Sequence, residues 1–191
     1  MNRIRFLVFT VIVSALAALG LVAPASAGAA PACATHWGST PESGPTSVAT
    51  GASLLTVRTG RHDCFDRLVL DVGGQDTTFG SYSVRYVPVV RQDGSGDAVP
   101  VRGAADLEVV VRAPAYGEQG RPTYLPANRR EAVDVAGFRT FRQVAYAGSF
   151  EGSTTLALGV RARLPFRVFS VTGTPNSDDT PRLVIDVAHR W

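Results

Sequence analysis

Arg67-Leu68-Val69-Leu70-Asp71-Val72 returns almost unchanged as Arg182-Leu183-Val184-Ile185-Asp186-Val187, with 115 positions between the equivalent arginines. Along an extended strand successive side chains point to opposite sides. Each copy therefore places three aliphatic residues on one face: Leu68, Leu70 and Val72 in the first, Leu183, Ile185 and Val187 in the second. Arg and Asp, four apart, share the other face. Two copies at so long a separation do not make a solenoid. The expectation is two similar strands paired near the centre of one sheet, their aliphatic sides forming a single buried layer. Arg67, Asp71, Arg182 and Asp186 would then pair across the strands or meet a ligand. The pattern alone leaves both roles open.

The same two-residue period runs outward from these copies. Residues 53–59 alternate weakly. Tyr82, Val84 and Tyr86 align in a run that reaches Val90. Leu107, Val109 and Val111 precede Ala113-Pro114, where the proline has no donor for a ladder. Residues 138–147 and 154–163 read as hairpin partners joined by the five residues 148–152. Phe166, Val168 and Ser170 open a further strand. Residues 92–97 form a turn cluster, and 115–128, with two prolines and two glycines, form a long loop. Only residues 129–133 admit a short helical turn. The expected class is all-β, a β-sandwich or strongly curved antiparallel or mixed sheets of about eight to nine strands, with at most one short helix.

Residues 1–27 read as an export signal. Arg3 and Arg5 open it, the stretch from Phe6 to Val22 carries no charge, and Ala25-Ser26-Ala27 has the small-x-small form a signal peptidase accepts. A retained membrane anchor is the alternative, since that apolar stretch just reaches the span minimum. Pro24 and the small residues after it favour cleavage, which would leave no membrane association. Residues 28–51, rich in Ala, Pro, Ser, Thr and Gly, read as an extended arm, and 52–191 as a single β domain. The full chain holds 19 basic and 16 acidic residues, a net charge of +3. Without the two signal arginines, 17 basic residues stand against 16 acidic ones. Every basic residue is arginine, and no basic run exceeds Arg129-Arg130, so a nucleic-acid footprint is excluded.

Cys33 and Cys64 are the only cysteines. In an oxidising compartment this even, minimal count favours one disulfide. Its loop of about 32 residues is worth about 3–4 kcal/mol by the chain-entropy argument. A lipidated Cys33 is the other reading, but Pro31 fits a lipidation site poorly. A nucleophile or metal-ligand role finds no accompanying His-rich or paired-Cys spacing.

The three histidines, His36, His62 and His189, are scattered, and no Gly-x-Ser-x-Gly elbow occurs. No catalytic residue, metal or cofactor is therefore expected. Asp93 and Asp97 with two glycines lack the length and closing Glu of a calcium loop, and Asp178-Asp179 reads as a solvated turn. A binding surface needs less: exposed aromatic and charged side chains that stack on and hydrogen-bond a ligand. Arg67, Arg85 and Arg182, with Tyr116 and Tyr124 in the long loop, are the candidates. Sugars stack on aromatic rings, and wall-peptide carboxylates suit the arginine fork.

Taken in order, Cys64-Phe-Asp-Arg-Leu-Val-Leu-Asp-Val72, Tyr82-Ser-Val-Arg-Tyr-Val87, Asp93-Gly-Ser-Gly96, Gly148-Ser-Phe-Glu-Gly152, Pro165-Phe-Arg-Val168 and Arg182-Leu-Val-Ile-Asp-Val187 resemble a known set. It is that of the secreted, often lipid-anchored actinobacterial proteins carrying an AMIN-like domain, and the likeness covers about residues 54–188. The resemblance implies a mostly β domain distantly similar to the AMIN domain, which targets cell-wall amidases and secretin-type pores to peptidoglycan. It implies no enzyme, since the catalytic part of those amidases is a separate domain. A secreted or wall-associated, non-enzymatic module is therefore expected, with a cell-wall glycan or an envelope protein as partner and its oligomeric state open. Two alternatives stay in play: a small hydrolase with a dispersed Ser–His–acid site using His62 as base, and an envelope protein that pairs through an exposed sheet edge.

Overall fold

The structure is a computed structural model that describes Cys33 and residues 36–46, 52–74, 78–175 and 177–191. The expected signal at 1–27 and much of the expected arm lie outside the described residues. Eleven strands follow one another: β1 Glu42–Ser43, β2 Ser53–Arg61, β3 Phe65–Gly73, β4 Tyr82–Val87, β5 Val90–Arg91, β6 Ala98–Val99, β7 Ala105–Val111, β8 Phe141–Phe150, β9 Ser153–Val160, β10 Phe166–Val171 and β11 Arg182–Ala188. Among the described residues there is no helix. One sheet runs β1-β4-β7-β9-β8, a second β10-β11-β3-β2, and β5-β6 form a two-stranded piece, all antiparallel. The two larger sheets share one apolar core, so the fold is a β-sandwich.

The repeated hexapeptides are the two central strands of the four-stranded sheet. Leu70 lies opposite Leu183, Leu68 opposite Ile185, Asp71 opposite Arg182 and Arg67 opposite Asp186. Leu68, Leu70, Val72, Leu183, Ile185 and Val187 are all buried, the most exposed at 2 %. Across the core they meet Val84, Leu107, Val109, Leu156 and Leu158 of the five-stranded sheet. The alternation read from the sequence is thus the alternation between core and outer face.

Two local expectations are corrected. The β8–β9 connection is not five residues long: both strands continue inward to a two-residue turn at Glu151 and Gly152, with φ of 46° and 80°. Positive φ at both positions is the type I′ geometry that matches the twist of paired strands. Gly148, with φ of 126°, instead follows the Tyr146/Gly148 register shift, a bulge inside β8. Residues 129–133 form turns, not a helix. The Arg129 carbonyl accepts from Tyr146 N–H at 2.7 Å, and Ala132 N–H donates to the Val144 carbonyl at 2.8 Å. This segment covers the free edge of β8 and satisfies backbone groups that a helix would have kept to itself.

The outer faces of the two sheets are finished differently. On the five-stranded sheet Val90, Val87, Val99 and Val101 pack over Ala145, Ala147 and Ala157. A Cβ added at Gly159 would stand 2.0 Å from the Arg102 carbonyl oxygen, so the overlying chain touches the sheet backbone. Among the described residues no such layer covers the centre of the four-stranded sheet, and side chains finish that face.

Cys33 and Cys64 are joined in a disulfide. The described part of the arm, residues 36–46, is extended and serves both sheets. Gly44 N–H donates to the Tyr82 carbonyl and the Gly38 carbonyl accepts from Phe166 N–H, while Val168 N–H donates to Glu42 Oε2 at 3.0 Å. Burial pushes the Glu42 carboxyl above its ordinary range, and that backbone donor draws it partly back. Cys33→Ser is expected to cost about 2–4 kcal/mol while the strand ladders survive. Chemical denaturation with amide exchange checks this: protection lost at Phe166 and Val168 but kept at Leu70 is the expected pattern.

Candidate functional site

Register brings onto the outer face of the four-stranded sheet what parity had placed there in each strand. Arg67 of β3 donates through Nε and Nη2 to Asp186 of β11 at 2.6 and 2.9 Å. Arg167 of β10 reaches the same carboxylate from the other side, Nε to Oδ2 at 2.9 Å. Asp186 is wholly buried beneath these two cations. The expected cross-strand pair thus forms at Arg67 and Asp186. It does not form between Arg182 and Asp71, although they are opposite in register. Asp71 is taken by Arg58 of the edge strand, through Nε at 2.6 Å and Nη2 at 2.7 Å, and by the Thr56 hydroxyl at 2.5 Å. Arg182 turns to Asp179 instead, and its buried Nε has no partner among the described residues.

Burial alone would raise the Asp71 carboxyl, but hydrogen bonds from Arg58 and Thr56, with the charges of Arg58 and Arg182, hold it below the ordinary carboxylate range. A carboxylate whose folded pKa is depressed contributes stability that is present above its unfolded value and lost as pH falls through the folded one. Asp71→Asn should therefore flatten the acid side of the stability profile, below the ordinary carboxylate range, and leave its neutral side nearly parallel. Paired denaturation series across acidic pH check this.

Aromatic rings frame the same face. The Arg167 guanidinium lies 4.4 Å from the Trp37 ring centroid and 5.2 Å from that of Phe169. Arg67 lies 5.2 Å from Phe65 and 5.6 Å from Phe169. His62 stacks on Phe65 at 4.4 Å. Beside this stack is an open cavity of about 370 Å³, with Arg58, Arg67 and Arg182 around it and Val69, Val184 and Phe169 among its apolar lining. Asp71, Asp186 and Asp179 do not line it.

Of the residues singled out from the sequence, Arg67 and Arg182 thus come together. Arg85 stands on the outer face of the other sheet, paired with Glu108 at 2.8 Å. The Tyr116 hydroxyl accepts from Gly152 N–H at 3.2 Å in the long loop. Tyr124 is half-buried, edge-on to Tyr146 at 5.9 Å, and burial with the neighbouring Tyr146 pushes its phenol up to about 12. Arg58, Arg167 and Phe169 had no separate signal. Their outward parity is readable, but their alignment with the repeated strands requires the register of β2 and β10.

The histidines do other work. His189 Nε2 lies 3.0 Å from Asp66 Oδ1, and its Nδ1 lies 3.1 Å from the Asp63 carbonyl. Among the described residues no serine hydroxyl is hydrogen-bonded to His62 or His189, and no group of three or more His, Cys, Asp or Glu side chains could hold a metal ion.

A two-layer β domain with one side-chain-finished face, preorganised guanidinium groups and an adjoining cavity has the form of a binding module. The profile of the AMIN-like domain matches residues 52–189, and the chain belongs to that family. AMIN-like domains are in general non-catalytic binding modules of the cell wall and envelope. Neither the curated proteins nor the solved structures include a significant match.

Proposed function

We propose that this chain is an exported, non-enzymatic module that attaches to the bacterial cell wall by binding peptidoglycan through the outer face of its four-stranded sheet. The observation that carries this reading is the contrast between the two outer faces. One is sealed by the chain around β5 and β6. The other is left to arginines, aromatic rings and a cavity, within a family of envelope-associated modules. The disulfide supports an extracytoplasmic setting. The apolar stretch before the arm supports export by a cleaved signal.

Cosedimentation with purified wall sacculi tests the proposal. The oxidised protein should pellet at low and moderate salt, and Arg67→Ala and Arg182→Ala should pellet less while Arg91→Ala, on the opposite side of the sandwich, pellets as before. Failure to pellet at both salt concentrations would overturn it. The arginine-dependent part should weaken with salt, because exposed charges are screened over about 10 Å at 0.1 M.

A further inference from the structure

The wall polymer offers two different chemistries, neutral sugar rings and a peptide stem ending in carboxylates. The outer face of the four-stranded sheet does not treat them alike. Sugars need an open aromatic ring to lie on, yet the Phe65 and Phe169 rings each have both Arg67 and Arg167 over them, and His62 is stacked on Phe65. The ring surface a sugar would use is already engaged. Carboxylates need fixed guanidinium donors with spare hydrogens, and these are present. Arg58 and Arg67 each spend Nε and Nη2 on a carboxylate beneath them, and Arg182 spends Nη2. Among the described residues Nη1 of all three has no protein partner; Nε of Arg182 is unpartnered too, but it is buried away from solvent and offers no donor to a ligand.

The acids that hold Arg58 and Arg67 are set back, whereas Asp179, which holds Arg182, is exposed but lies outside the cavity. Asp186 is fully buried, and the Asp71 side chain is 14 % exposed. A ligand entering the cavity meets cations at its rim and Phe169 and the exposed Val171 along its wall, above the buried Val69 and Val184, while the compensating acids line none of it. The arginines are preorganised by those acids, so little side-chain entropy remains to be lost on binding. Cationic rim and aliphatic wall together complement a short peptide with a free carboxylate and small aliphatic side chains such as alanine.

We propose that the cavity bounded by Arg58, Arg67 and Arg182 recognises the peptide stem of the wall polymer, through its carboxylate, and not the glycan strand. This rests on the wall-binding reading and narrows it to one part of the polymer. The carboxylate sits against the Arg58 and Arg182 donors, and the alanine methyl groups lie on Val171 and the edge of Phe169. Arg67, locked to Asp186 and covered by rings, supplies field more than direct contact.

The test uses the purified oxidised protein and three probes: a synthetic stem tetrapeptide with free carboxylates, the same peptide with its carboxylates amidated, and glycan strands stripped of peptide. Calorimetry or NMR titration reads affinity, with sacculus pelleting run on the same samples. The free peptide should bind, and amidation should weaken it about tenfold or more, as expected on losing a charge-assisted hydrogen bond. Arg58→Ala and Arg182→Ala should weaken it comparably while still folded at the titration temperature, Arg58→Ala with some loss of melting temperature because Asp71 loses its partner, and Arg91→Ala should not weaken it.

Equal binding of free and amidated peptide would overturn the proposal, as would binding of the stripped glycan in place of the peptide. Sacculi that pellet the protein while the peptide fails to bind would overturn it and leave the wall reading standing. Absence of both would remove the two together. If an arginine variant fails to fold, the comparison of free and amidated peptide on the native protein still decides.

Discussion

Ile185→Ala and Leu70→Ala should each lower stability by about 2–5 kcal/mol, the range for truncating a large aliphatic side chain in a packed core. Both side chains are fully buried. They belong to the paired central strands, with Leu70 opposite Leu183 and Ile185 opposite Leu68, so neither lies at an edge where the chain could close over a void. Interiors are close-packed, and a cavity in the middle of two sheets relaxes only partly. Denaturant unfolding with an unchanged m-value is the expected signature. Ile185→Val should cost only about 0.5–1.5 kcal/mol. Equal losses for Val and Ala would point to disturbed strand pairing, not to a cavity.

Asp66→Ala should cost as much or more. Asp66, at 1 % exposure, is a carboxylate of β3 that reaches across to the other sheet. Its Oδ2 accepts the backbone N–H groups of Thr140 at 2.5 Å and Phe141 at 3.1 Å, where β8 begins. Its Oδ1 faces His189 Nε2. The two donor residues are themselves buried. Removing the acceptor strands two buried N–H groups at about 1–3 kcal/mol each, and hence about 2–6 kcal/mol together. The lost stability should appear with early amide exchange at Thr140 and Phe141. Asp66→Asn keeps one acceptor oxygen and should fall between the native protein and the alanine variant. An alanine variant that melts as the native protein does would mean that water serves those donors as well as the carboxylate.

The contrast between these positions indicates what was legible. Asp71 and Asp186 were visible because the hexapeptide repeats them with a fixed parity to Leu and Val. Asp66 carries no comparable signal in the sequence. Its role exists only because β8 starts beside it, and residues 66 and 140 are far apart in the chain. The hairpin errors have a similar cause. Gly148 and Gly152 both announce a break, yet only a register shift shows that one is a bulge and the other a turn. The helical reading of 129–133 failed because local propensity is weak where the free edge of β8 offers backbone partners.

Strand parity, and with it the division of each repeated segment into an apolar and a charged side, was determined by the sequence alone, because an extended chain alternates whatever it packs against. So were the all-β class and the approximate spans of the longer strands, while the cysteine count favoured the disulfide that the structure contains. Which charges meet was decided by tertiary structure. Register set Arg67 against Asp186, but the edge strand brought Arg58 to Asp71 and left Arg182 to Asp179, a choice among partners that sequence spacing does not contain. The unequal finish of the two outer faces was decided there too. Whether residues 87–101 fold back over one sheet is a matter of long-range packing, and the arginine face is open because, among the described residues, nothing comparable returns across the other.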